Sequence, residues 1–236
     1  RRVAEKCYLP MNQLVMDMIQ RYGANFKVSF SISGSALEQF ALHAPEVIES
    51  FQKLAKTGCV EFLAETYAHS LASLSDTDEF ERQVRRHVAR MEELFGQKPV
   101  TLRNSSLIYS DQIGERVAAM GFESMLTDGA KHVLGWKSPN FVYTNVMNPR
   151  LKLLLKNSRL SDDLTLRFSD HSWHEWPLTA DKYARWLKDS MRDSEIVNLF
   201  MNYETFGENQ LAETGIFEFM RSLPEFIFST TDFEFL

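Results

Sequence analysis

The chain has 236 residues, 25% of them charged, and a formal net charge of −6; at that length about 70% of the unfolded surface can be buried without disulfides or metals. A pI near 5.6 argues against a nucleic-acid or anionic-membrane surface, and no apolar run approaches the roughly 20 residues of a spanning helix. Two cysteines, Cys7 and Cys59, make neither a disulfide framework nor a paired zinc-ligand set and are expected as free buried thiols. The opening RRVAEKCYLPMNQLVMDMIQRYG is an amphipathic helix closed by Gly23, neither a signal peptide nor a first strand. A cytoplasmic location is the default expectation.

In chain order, KVSFSIS (27–33) alternates as a strand, and residues 36–58 read as a helix broken at Pro45 and stopped by Gly58. CVEFLAET (59–66) is a short buried strand, and the cluster Ser75–Asp78 caps a charged helix ended by Gly96. A strand from 99 to 106, a helix at 110–120 and the strand FESMLT reaching Asp128 follow. FVYTNV and LKLLLKN form a pair of strands around the turn 147–150, SRLSDDLTLRF and TADKYARWLKDSMRD are helices, and EIVNLFMNYE (195–204) is the clearest apolar strand. LAETGIFEFMRSL is the last predicted helix, and PEFIFSTTDFEFL starts a final strand. No repeat or linker breaks the alternation, so residues 1–236 are expected to form one domain.

Apolar strands alternating with helices argue for parallel strands covered by helices, an α/β fold, and a barrel is favoured over an open sheet because no nucleotide-binding G-x-G-x-x-G or P-loop pattern occurs. Ser33, Glu65, Thr66, Ser105, Ser106, Asp128, Asp170, Asn202, Tyr203 and Glu204 all fall at or just past the C-terminal ends of predicted strands. Those ends converge on one face in a (β/α) barrel and build its active site, although any one such residue is more often a helix cap. Three segments, GCVEFLAETYAHSL, LRNSSLIYSD and FMNYETFGENQ, set carboxylates, amides or hydroxyls beside aromatics, the pairing that recognises saccharides.

These segments resemble the signature regions of glycoside hydrolase family 57, in its α-amylase-like branch. The matching stretches are GCVEFLAETYAHSL, RNSSLIYSDQIGE with MLTDGAKHVLGWKSPN downstream, and MNYETFGENQLAETGIFEF. The resemblance runs over essentially the whole chain. It implies an incomplete TIM-like (β/α)7 barrel, retaining chemistry on α-glucans, and an α-glucan or maltooligosaccharide as partner, with no cofactor or metal, nucleic acid or membrane. The family's opening His-Gln-Pro strand and its closing region are not in the sequence, so the barrel is expected to begin after its first strand.

Two departures bear on activity. Where the family pattern reads R-N-T-E-L, with Glu as nucleophile, this chain has Ser106; where it reads Met-Asp-Tyr-Glu, with Asp as general acid, it has Asn202. Retaining hydrolysis uses two carboxyl groups roughly 5 Å apart. Serine does not ionise near neutral pH and an asparagine amide is no acid, yet both hydrogen-bond sugar hydroxyls. The resemblance therefore implies a glycoside hydrolase homologue impaired in hydrolysis, with Glu65, Thr66, His69, Asp128, Trp136, Tyr203 and Glu204 as substrate contacts. Glu65, Asp128, Glu204 and Glu208 are the acids available for a relocated active site.

Competing readings start from other residues. Asp170, His171 and His174 could hold a divalent ion in a polysaccharide deacetylase, though histidines beside a tryptophan in a loop more often line a surface. Ser33 lies outside any G-x-S-x-G pattern, and Ser106 is a serine nucleophile only if His69 approaches it. Asn104-Ser105-Ser106 matches a glycosylation sequon at a buried strand end, where chance explains it better. Trp136, Trp173 and Trp176 could be stacking platforms or core, and the basic run at Arg85 and Arg86 reads as a solvated face.

Overall fold

The computed structural model describes residues 1–191 and 193–236. A π-helical turn Ala4–Tyr8 leads into α1 (Leu9–Tyr22), then β1 (Val28–Phe30), α2 (Gly34–His43), α3 (Pro45–Ala55), β2 (Val60–Phe62) and α4 (Thr77–Phe95). β3 (Thr101–Arg103), α5 (Asp111–Ala119), β4 (Ser124–Asp128) and a short α6 (Lys131–Leu134) follow, then the strand pair β5 (Val142–Thr144) and β6 (Lys152–Lys156). The chain closes with α7 (Ser158–Thr165), α8 (Ala180–Ser190) and α9 (Ile216–Thr230).

Local chemistry explains these boundaries. Pro45 ends one helix and opens the next, because it cannot donate a backbone hydrogen bond but suits the first turn of α3. α4 starts at Asp76, whose carboxylate accepts the Glu79 N–H, and stops at Gly96 in the left-handed region (φ 68°). Its buried face of Phe80, Val84, His87, Met91 and Phe95 recurs every three or four residues, the spacing of one helical stripe.

The strands are short but consistently ordered. β1 pairs in parallel with β2, β3 with β4, and β4 with β6, while β5 adds antiparallel to the outer edge of β6. A bridge from Ala64 to Leu102 joins the first pair to the second, and one from Lys156 to Asn198 adds the segment after α8. The parallel order is thus β1, β2, β3, β4, β6 and the 198 region.

The array is curved. Leu102 packs outward with Phe80, Val84 and Ile113 under α4 and α5, so its neighbour Arg103 points inward by the alternation of a strand. There the Arg103 guanidinium lies 5.3 Å from the ring of Phe200, although three inter-strand steps, about 14 Å of flat sheet, separate their strands. At the two edges Tyr203 meets Phe30 of β1 at 5.3 Å. Phe30 in turn contacts Phe51 and Phe62, and Phe62 stacks on Phe95 at 4.0 Å, an aromatic core in which each fully buried ring contributes about 1.5–3 kcal/mol. The parallel barrel-like α/β architecture expected from the sequence is the one observed.

Two predicted strands are corrected. Residues 195–204 make one bridge rather than a ladder, because side chains take the backbone groups: the Asn198 amide donates to the Leu155 carbonyl at 3.2 Å, and the Phe200 N–H donates to Ser161 Oγ at 3.2 Å. The tail reading fails more completely, since α9 runs through Pro224 to Thr230. Ile216, Phe219, Leu223 and Ile227 are all buried at helical spacing, and that burial outweighs the roughly 3 kcal/mol cost of an interior proline.

Candidate active site

The C-terminal ends of β2 and β3 form one corner of the site. Past β2 the chain buries Glu65 to 2% exposure, and its carboxylate accepts from Ser31 Oγ at 2.8 Å and lies 2.9 Å from His69 Nδ1. Arg103 Nη1 is 3.5 Å from the same carboxylate and 3.1 Å from the same histidine nitrogen. Beneath Glu65, the buried His87 accepts the Glu65 backbone N–H on Nδ1 at 3.3 Å and donates from Nε2 to the Ile32 carbonyl at 2.8 Å. That pair of bonds selects the neutral tautomer, and burial pulls the His87 pKa below its ordinary value.

The loop after β3 is built from side-chain caps. Asn104, fully buried, accepts the Ser105 N–H and donates to Ser73 Oγ and to the Ile108 carbonyl, at 2.8 to 2.9 Å. Thr66 and Ser105 share a hydrogen bond of 2.9 Å that ties the β2 loop to the β3 loop. These restraints hold Ser106 and Leu107 in the left-handed region, at φ 53° and 56°. Non-glycine residues there cost of order 1–3 kcal/mol each and cluster at functional turns. Ser106, expected from the resemblance at the nucleophile position, is exposed on this turn.

The opposite corner follows the 198 bridge. Asn202, expected from the resemblance at the acid position, is exposed and opens a tight turn over Tyr203–Thr205. Tyr203 turns inward: its ring packs on Phe30, Phe51 and Phe206 and stacks on Tyr8, and its hydroxyl donates to Asn12 at 2.6 Å. Burial raises its pKa well above the usual tyrosine value. The structure surrounds much of Tyr203 with the protein's own side chains. Glu204 accepts a short hydrogen bond from the Tyr8 hydroxyl, and Glu208 pairs with Arg2 at 2.5 Å. The buried Cys7 thiol, pushed up to about 12 chiefly by burial, donates to the Tyr203 carbonyl at 3.1 Å. Gly207, at φ 104°, lets this loop touch the π-helical turn, where a Cβ would lie 2.0 Å from the Lys6 carbonyl oxygen.

The other expected residues lie apart. Asp128, at the end of β4, accepts from Ser158 Oγ at 2.8 Å, and Trp136 stands 92% exposed just beyond α6. Asp170 is folded onto Ser172, and His171 stacks on Trp176 at 4.1 Å; among the described residues no three His, Cys, Asp or Glu side chains converge as metal ligands. The residue that sequence reasoning missed is Arg103. Its signal was present as the letter before Asn104 in the signature segment, with no role attached.

Comparison with known proteins fits this geometry. The profile for glycosyl hydrolase family 57 matches residues 1–236. A protein of Methanocaldococcus jannaschii named "Putative alpha-amylase" is 46% identical over 224 residues, which is 94% of this chain and 47% of the relative; the chain therefore spans about half the length of that curated relative. Among solved structures, a 4-alpha-glucanotransferase from Thermococcus litoralis superposes with a TM-score of 0.76 at 15% identity, over 98% of this chain and 35% of that one. A family 57 branching enzyme from Thermococcus kodakaraensis does so at 0.71 and 11% identity, over 99% and 64%. These likenesses establish the fold as part of a TIM-like barrel, and the profile match establishes the lineage: the chain belongs to glycosyl hydrolase family 57.

Proposed function

We propose that this chain is an α-amylase-like family 57 protein that binds α-glucans but hydrolyses them poorly or not at all. The observation that carries the reading is the absence of a carboxylate at either presented position. Ser106 and Asn202 are neutral, and the nearby acids are committed elsewhere: Glu65 to Ser31 and His69, Glu204 to Tyr8, and Asp128 to Ser158. Hydrolysis with retention needs one carboxylate to attack the anomeric carbon and one carboxylic acid to protonate the departing oxygen. Without an acid at 202 the leaving group departs as an alkoxide, and the acid–base contribution alone is about 10²–10⁴-fold. Relocation to Glu204 is disfavoured by its Tyr8 bond, since a nucleophile displaced by an ångström or two loses its line of attack.

Binding survives these losses. The exposed Ser106 hydroxyl and Asn202 amide donate and accept at sugar hydroxyls, and Arg103 adds donors and the free His69 ring nitrogen an acceptor. The substrate class rests on the family and on the alpha-amylase name of the curated relative. Titration calorimetry with maltoheptaose should give saturable heat; no heat from a folded sample would overturn the reading.

A further inference from the structure

Arg103 pairs with Glu65, yet most of the hydrogen-bonding fork of its guanidinium is left unfilled. It points into the curved interior, 13% exposed, and its only ion-pair partner among the described residues is Glu65, at the long distance of 3.5 Å. Glu65 is already served by Ser31 and His69. A single His69 Nδ1 cannot both donate to Glu65 at 2.9 Å and accept from Arg103 at 3.1 Å. The shorter distance and the carboxylate's charge give that proton to Glu65, which leaves Arg103 Nη1 without a good acceptor. Its Nε is buried with no hydrogen-bond partner, and Nη2 has no acceptor among the described residues. Phe200 covers one face of the group at 5.3 Å. A guanidinium removed from water and held by one long contact lacks the paired oxygens that its planar fork is shaped to take.

The charges that could fill this gap are missing or engaged. Arg103 stands three residues before Ser106, and Phe200, which covers the guanidinium, two before Asn202; neither Ser106 nor Asn202 carries a charge. Glu204 faces Tyr8 and Asp128 faces Ser158.

We infer that Arg103 anchors an oxyanion carried on the bound saccharide, a phosphate ester or a carboxylate on the sugar ring, so that the preferred ligand is an anionic sugar rather than a neutral glucan. This rests on the saccharide reading above and narrows it. A charge-assisted, two-pronged contact inside a partly desolvated pocket gives at least a tenfold preference over a neutral hydroxyl, and the exposed part of that preference falls with salt.

The test measures affinity for glucose, glucose 6-phosphate, glucuronate and inorganic phosphate at low and high salt, with maltoheptaose as the neutral glucan arm. The expected result is that glucose 6-phosphate or glucuronate binds at least tenfold tighter than glucose, whichever is tighter identifying the oxyanion, and that inorganic phosphate binds more weakly than the phosphorylated sugar. Arg103→Gln should abolish the preference. Arg103→Lys, which keeps a cation beside Glu65 but loses the fork, should retain the fold and lose most of it. Equal affinity for glucose and both anionic sugars, a preference that persists in Arg103→Lys, or inorganic phosphate binding as tightly as glucose 6-phosphate would each overturn the inference. If maltoheptaose binds while anionic sugars gain nothing, the inference falls and the glucan reading stands; if anionic sugars bind and maltoheptaose does not, the reverse holds; if no sugar binds, both fall.

Discussion

The two corners of the site are held in place by different forces. At the ends of β2 and β3, polar side chains do it: Asn104 spans the turn with three hydrogen bonds, Thr66 and Ser105 tie neighbouring loops, and His87 supports the Glu65 backbone. At the 198–210 corner, packing does it: the Tyr203 ring sits in an aromatic cluster, and Gly207 presses on the Lys6 carbonyl. The difference shows how the residues at 106 and 202 can change while the frame persists. Neither Ser106 nor Asn202 belongs to the set that holds its own corner, so either position can change side chain without unfolding that corner.

Breaking the packed corner should have the largest effect. Tyr203→Ala removes a partly buried ring packed among aromatic neighbours and leaves Asn12 without its hydroxyl partner, so a loss of about 2–4 kcal/mol is expected in denaturant unfolding. A loss below about 1 kcal/mol would mean that this corner is not held by packing.

The polar corner is predicted to be pH-sensitive. Because burial holds the folded His87 pKa below the unfolded one, the unfolded chain binds the extra proton. Stability is therefore intact above the ordinary histidine value of about 6.5 and declines as pH falls below it, by at most about 1.4 kcal/mol per pH unit for one proton. Unfolding curves between pH 7 and 5 should show this slope in the native chain and lack it in His87→Gln; the same slope in both would remove His87 from the account.

The smallest effect sharpens the contrast at Ser106. Glycine adopts a φ of 53° without steric cost, so Ser106→Gly should stabilise the chain by roughly 0.5–1 kcal/mol. Destabilisation would show that the serine side chain helps to hold its turn.

Much of this was legible in the residues. Glycines at 23, 58 and 96, each at positive φ, marked helix and loop stops, and strand–helix alternation gave the layer order. The segment 195–204 misled because its apolar composition is that of a strand, while the groups that replace its ladder, Ser161 and the Leu155 carbonyl, lie some 40 residues away. The tail misled because Pro224 argued locally against a helix whose buried stripe is decided by tertiary packing. Glu65, Thr66 and His69 stand in one short segment, so their closeness was legible. The packing of Tyr203 was not legible, because the sequence cannot show that Tyr8, Asn12 and Phe30, more than 170 residues earlier, surround it. Arg103 was missed for the same reason: its significance is an unfilled hydrogen-bonding fork, a property of three-dimensional surroundings.

The central claim is that a preserved frame presents two non-catalytic residues. Release of reducing ends from maltoheptaose tests it most directly, comparing the native protein at full length with its Ser106→Glu, Asn202→Asp double variant. The account predicts no release above background from the native protein and measurable turnover from the double variant. Sustained turnover by the native protein, lost in Ser106→Ala or in Asn202→Ala, would contradict it.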